Sequence, residues 1–144
     1  MYKSFKVWVV AAGLFNIIAA TPLAIPKYLA GYYALFNSLN RILNLGGNPL
    51  VPPADATNSL FVNMAGLALI LVGIILLYSA FDLKRRLFIP FASGLVRLVF
   101  SAVLTYYIFA ENVAHILISI GTIDLLLGIV FVYYYLRLRK LANE

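Results

Sequence analysis

The 144-residue chain contains no cysteine. That one absence excludes disulfides, Cys-ligated zinc, iron–sulfur clusters and thiol catalysis. A single histidine, His115, excludes bis-His haem ligation within one copy and the His-rich arrays of membrane di-iron enzymes. Nucleophile-elbow, HExxH and phosphate-loop motifs are also missing. On these grounds no metal and no catalytic residue is expected, and the chain reads as a non-enzyme with no resident cofactor, although a bound lipid or quinone would fit.

Charge is scarce too. Only 11% of residues are charged, against 64% hydrophobic, and the mean hydropathy is +0.98. A soluble domain would need far more polar surface than this. The class is therefore integral membrane. Acidic residues are the rarer sign, five against eleven lysines and arginines. In a soluble protein that excess could mean nucleic acid; here the basic residues bracket apolar runs, and membrane topology explains them. Nucleic acid is not expected as a partner; the lipid bilayer is.

Each crossing of the hydrocarbon layer takes about 20 mainly apolar residues, and four fit in one domain over residues 1–144. The spans run at about 5–25, 59–81, 87–109 and 113–136. The first has a basic start, an apolar middle and the small residues of "NIIAAT", as a signal peptide would. Its apolar run is long enough to cross, so it is read as the first transmembrane helix, ended by Pro26. The stretch "ATNS" is expected to cap the second span. The short turns "DLKRR" and "AENVA" are expected to make the last three spans a meander of packed antiparallel neighbours.

Orientation follows from basic residues, which gather at cytoplasmic ends. With both termini inside, the inner side holds Lys3, Lys6, Lys84, Arg85, Arg86, Arg137, Arg139 and Lys140, whereas the outer side holds Lys27 and Arg41. The bias is eight to two. Tyr106-Tyr107 and "VYYYLRLRK" mark the expected interfacial belts.

The one long connection lies between the first and second spans. In its first half Tyr28, Leu29, Tyr32, Leu35, Phe36, Leu39, Ile42 and Leu43 recur at steps of three and four, opposite Asn37, Ser38, Asn40, Arg41 and Asn44. This predicts an amphipathic interfacial helix over about 27–45 on the outer face, ended by Gly46-Gly47. "NPLVPP" then returns as an extended segment. The helix would serve as a cover for the bundle end, as a lid, or as a docking segment presenting Tyr28, Tyr32, Tyr33 and Phe36.

Arg97 stands inside the third span, about ten residues from its inner end; Asp124 stands about eleven residues into the fourth from the outside. At 1.5 Å per residue both lie roughly 15 Å deep, level with each other. An arginine at that depth costs at least about 2.5 kcal/mol, so a lipid-facing, unpaired placement is excluded. A bidentate Arg97–Asp124 pair is expected, with Asn16 as a third member and Ser101 on the same stripe as Arg97. Small residues, among them Gly13, Gly66, Gly73, Gly94, Gly121 and Gly128, share these faces and would let helices approach closely. At the outer end of the fourth span Glu111 and His115, four apart, could share a helix face as a proton or metal pair, with Arg41 nearby as a further outer-face candidate. Two ligands make no metal site.

The predicted fold is thus all-α integral membrane: a four-transmembrane-helix bundle with both termini cytoplasmic and an interfacial helix in the long outer loop. Three functions remain open. The first is an accessory or scaffold subunit that binds a larger membrane complex, another copy of itself, or a lipid or quinone-like molecule through its helix faces and outer segment. The second is a homo-oligomeric, proton-coupled transporter or channel using Asp124 and Arg97. The third is a lipid or isoprenoid enzyme run by a buried Asp124. In outline, with four spans, a long connection after the first and an arginine in the third, the chain resembles the small bacterial membrane proteins of the DoxX-like and BphX-like kind. The resemblance implies a bacterial inner-membrane location and carries over no site residue.

Overall fold

In the computed structural model, which describes residues 1–143, five helices follow one another: α1 (Tyr2–Ala24), α2 (Pro26–Ile42), α3 (Ala56–Phe81), α4 (Phe88–Ala110) and α5 (Leu117–Asn143). α1, α3, α4 and α5 are each long and apolar enough to cross a membrane. Their outward surfaces carry exposed side chains such as Val7, Ile18, Leu67, Val99 and Leu126. A surface of that kind is suited to lipid and not to water. The protein is a multi-pass membrane protein.

Local chemistry sets the breaks. α1 passes through Pro22 and stops when Ile25, forced out of the helical region by Pro26, turns extended (φ −108°, ψ 110°). Pro26 then opens α2, where its missing N–H costs nothing. α2 ends earlier than the glycines predicted. Asn44 adopts φ +50°; its N–H donates to Arg41 O and that of Leu45 to Asn40 O. This is a Schellman closure with asparagine in the left-handed position usually given to glycine. α3 is capped by Asp55, whose carboxylate accepts from the Asn58 N–H at 2.8 Å, rather than by a residue of "ATNS". The last helix starts at Leu117 instead of 113. Asn112 has φ +52°, and Val113 bridges to Asn48, so these residues belong to a turn.

The helices associate as two pairs. In α1 and α3, a Cβ placed on Gly73 would lie 2.7 Å from Gly13 O, and one on Gly13 2.9 Å from Gly73 O. In α4 and α5, a Cβ on Gly128 would lie 3.0 Å from Gly94 O and one on Gly94 3.2 Å from Gly128 O. Each pair is therefore knotted backbone to backbone at glycines, with a second such approach in α1–α3 where a Cβ on Gly66 would press on Ala24 N, the close contact by which membrane helices gain packing without a hydrophobic drive. By contrast, α3 and α4 make little contact although a short turn joins them. The expected meander of neighbours thus holds as close packing for α4 and α5 but not for α3 and α4, because a turn fixes direction while the glycines choose partners.

The two pairs meet at the end that carries the termini. Phe5 of α1 is fully buried, edge-on to Phe131 of α5 (centroids 5.7 Å) and stacked on Tyr134 (4.8 Å). Val9, Ala12, Leu76, Ala80, Leu83, Leu127 and Leu138 complete this plug. Beyond it, toward α2, the pairs leave space between them.

Candidate functional site

The space is a cavity of about 610 Å³, within the ~300–1,000 Å³ usual for small-molecule sites. Every helix contributes to it: Phe15 and Leu23 from α1, Val72 and Leu76 from α3, Ala92 and Phe100 from α4, Ile120 from α5, and Tyr32, Tyr33 and Phe36 from α2. Most of the lining is apolar. Its charged and amide side chains are Asn16, Arg97 and Asp124.

Those three residues form one network from three helices. Arg97 donates through Nη1 to Asp124 Oδ1 and through Nη2 to Asn16 Oδ1, the latter at 2.6 Å. All three are buried, with residual exposures of 6–7%. The guanidinium divides its two ends between two partners, so the bidentate pair expected from the sequence is replaced by a bridge across the two helix pairs. The reason is position: Asn16 belongs to the α1–α3 pair and Asp124 to the α4–α5 pair, and the arginine is long enough to serve both. One nitrogen remains. Arg97 Nε is buried and has no hydrogen-bond partner in the protein. Buried polar groups in proteins are overwhelmingly paired, which makes an orphan of this kind informative.

Ser101, one turn further along α4, is buried but stands outside this network. Its hydroxyl donates to Gly121 O at 2.9 Å and ties α4 to α5. Close helix approach is expected from the sequence at the small residues, and no cavity of this size. The glycines tighten each pair internally and so leave the gap between pairs unfilled.

Of the four aromatic side chains in the predicted docking segment, Tyr32, Tyr33 and Phe36 line the cavity, while Tyr28 is 53% exposed. α2 thus turns one aromatic face inward over the polar network. Partial burial raises the phenol pKa of Tyr32 and Tyr33 above the usual value, so both stay neutral well past physiological pH.

α2 is held in place by a clasp. Asn40, buried, donates through Nδ2 to Gly46 O and accepts at Oδ1 from the Ile116 N–H, both at 2.8 Å. His115 Nδ1 lies 2.7 Å from Leu45 O, and its backbone N–H donates to Gly46 O. Asn37 seals the other side by bonding both polar groups of Leu50 at 2.8 Å. Glu111 and His115 do not share a helix face, because residues 111–116 form the turn between α4 and α5. His115 serves the clasp, Glu111 is exposed, and among the described residues no group of three His, Cys, Asp or Glu could hold a metal. Arg41 is exposed on α2 and lines a separate, shallower depression with Asn37 and Pro49.

Sequence reasoning missed the Asn40 clasp. Its only trace is an asparagine among the polar positions of an amphipathic pattern, which reads as solvent-facing. Comparison with known proteins adds nothing to this geometry: no protein-family model matches the chain, and no curated protein or solved structure matches it significantly.

Proposed function

We propose that the protein is a cell-membrane accessory protein that binds one lipid or quinone-like molecule in the cavity between its two helix pairs and presents it to a larger membrane assembly. Both termini lie in the cytoplasm, and α2 rests on the outer face of the bilayer as the roof of the site. The observation that carries this reading is the 610 Å³ cavity, apolar in its walls and polar where Asn16, Arg97 and Asp124 meet. A site that only fixed helix register would have no use for so much unfilled apolar volume, which costs packing energy in any protein interior. An amphiphile matches both parts, with its chain against the walls and its head at the network. The eight-to-two distribution of basic residues supports the orientation.

Gentle extraction from the native membrane followed by native mass spectrometry tests the reading. The expected result is an assembly larger than one chain that carries a reproducible adduct of lipid size, released only on activation. Bare monomers without an adduct would sink it. Orientation is checked separately, and the absence of cysteine makes the check clean. Gly31→Cys, in open space on α2, should react with an impermeant maleimide in intact cells, and Lys3→Cys only after permeabilisation.

A further inference from the structure

We propose that the occupant is a neutral lipid headed by a hydroxyl, which accepts a hydrogen bond from Asn16 Nδ2 and donates one to Asp124 Oδ2 while its tail leaves the cavity between α3 and α4. The proposal rests on the lipid-binding reading above and specifies the head that the site selects.

The network itself determines which atoms can meet a ligand. Arg97 is turned to its partners: Nη1 is bonded to Asp124, Nη2 to Asn16, and Nε is enclosed by protein. Each partner keeps one polar atom in reserve. Asn16 gives Oδ1 to the guanidinium, which orients its amide and leaves Nδ2; Asp124 likewise gives Oδ1 and leaves Oδ2. Among the described residues neither Asn16 Nδ2 nor Asp124 Oδ2 has a hydrogen-bond partner, and neither is enclosed as Nε is. Both side chains line the cavity, so the polar surface they retain faces its interior.

One open donor beside one open acceptor selects a head that is both. The two groups flank a single guanidinium, so one oxygen can serve them together: a hydroxyl takes the amide hydrogen on a lone pair and points its own hydrogen at the carboxylate. An ether oxygen satisfies Asn16 alone and leaves Asp124 Oδ2 against apolar walls, where an unmatched charged acceptor is expensive. An ionic head of either sign brings a third charge into a site where Arg97 and Asp124 already oppose one another. Depth agrees with a neutral head. Arg97 lies about ten residues into α4, roughly 15 Å along the helix, far below the level of charged headgroups.

The tail's path follows from which helices fail to meet. At the end nearest α2, Tyr32, Tyr33 and Phe36 cover the cavity. At the opposite end the Phe5 plug closes it between α1 and α5. Between α3 and α4 there is little contact, and the cavity walls there are exposed: Ile75 by 39%, Val96 by 68% and Phe100 by 46%. That side opens toward the acyl chains of the surrounding lipid.

Three probes of equal chain length isolate the head: 1-hexadecanol, its methyl ether, and hexadecanesulfonate. Each is titrated into the purified full chain, and bound stoichiometry is read by native mass spectrometry. The expected result is one hexadecanol per chain, with the ether and the sulfonate each at least about tenfold weaker. A fourth probe, 4-dodecylphenol, separates the sources of the hydroxyl: tighter binding than hexadecanol assigns it to a quinol-type ring, weaker binding to an aliphatic alcohol. Asp124→Asn keeps an oxygen for Arg97 and puts an N–H in place of Oδ2, so the preference for alcohol over ether should disappear. Ala92→Phe fills the cavity from the α4 side and should reduce binding of every probe to background. Should Asp124→Asn not fold, the probe series and Ala92→Phe still decide. Ether or sulfonate binding as tight as the alcohol's overturns the hydroxyl assignment and leaves lipid binding standing. An alcohol preference that persists in Asp124→Asn overturns the role given to Oδ2, and unchanged binding in Ala92→Phe overturns the location. Binding of no probe removes both this proposal and the reading beneath it.

Discussion

Arg97 reaches Asp124 with one guanidinium nitrogen and Asn16 with the other, and so links helix pairs that otherwise meet mainly at the Phe5 plug. The bridge costs desolvation of two charges, and its geometry returns that only while every partner is present.

Asp124→Asn should therefore lower folded yield and melting temperature sharply, since removing one partner of a buried pair costs on the order of 3–5 kcal/mol. Replacing both charges by apolar side chains of similar volume, Arg97→Met with Asp124→Leu, should be tolerated better than either single change. Thermal unfolding of the purified variants measures the order. A double variant less stable than both singles would show that the network supplies net stability rather than a functional feature maintained at a cost.

The glycine crossings predict a second ordering. Gly73→Ala and Gly94→Ala push a methyl group against a backbone oxygen or the buried Phe131 Cβ, and overpacking of that kind costs about 1–3 kcal/mol. Gly31→Ala meets nothing within 4 Å and sits inside α2. It should stabilise that helix by up to about 1 kcal/mol. Melting temperatures should fall for the first two and hold or rise for the third. The reverse order would mean that the pairs are not knotted where the backbones cross.

The contrast between these glycines and the charges also marks what the sequence could reveal. Four spans were legible because hydropathy over 20 residues is a strong signal, and the common depth of Arg97 and Asp124 was legible because helical rise is constant. Pair choice was not. Gly13, Gly73, Gly94 and Gly128 identify the packed face of each helix but carry no label for the helix they meet, so the gap between pairs, and with it the cavity, had no signature. Helix ends were blurred in the same way. Gly46-Gly47 looked like the stop for α2, yet Asn44 makes the left-handed residue two positions earlier. At 111–116 the apolar pattern ran on through a turn that a tertiary contact to Asn48 imposes.

Acid should loosen the start of α3. Asp55 is exposed, and hydrogen bonds from the Asn58 backbone and side chain hold its carboxyl below the usual range. Because the folded pKa is the lower one, the cap's contribution is complete above the unfolded value of about 3.9 and is lost as pH falls through the folded value. The protection factor of the Asn58 amide, its exchange measured by NMR in micelles relative to the intrinsic rate at each pH, should fall in that acid window and not above it. In Asp55→Asn, which caps without titrating, that fall should vanish.

The clasp at Asn40 yields the last test, because it separates the roof from the bundle beneath it. Asn40 offers a donor to Gly46 O and an acceptor to the Ile116 N–H at one buried position, and only a carboxamide supplies both. Asn40→Asp keeps the acceptor but turns a second oxygen toward a carbonyl, and Asn40→Ala leaves the buried Ile116 N–H without its partner, at about 1–3 kcal/mol, while Gly46 O keeps the His115 N–H. Either change acts on the segment from α2 to Gly47 and on the turn before α5. The glycine crossings and the Phe5 plug lie elsewhere. Hydrogen exchange should therefore rise in residues 26–50 and 112–117 while protection in the middle of α1, α3, α4 and α5 is retained. Loss of protection throughout would mean that α2 is integral to the bundle's stability and cannot move as a separate roof. Confinement of the change to those two segments would leave the cavity's cover free to open on its own.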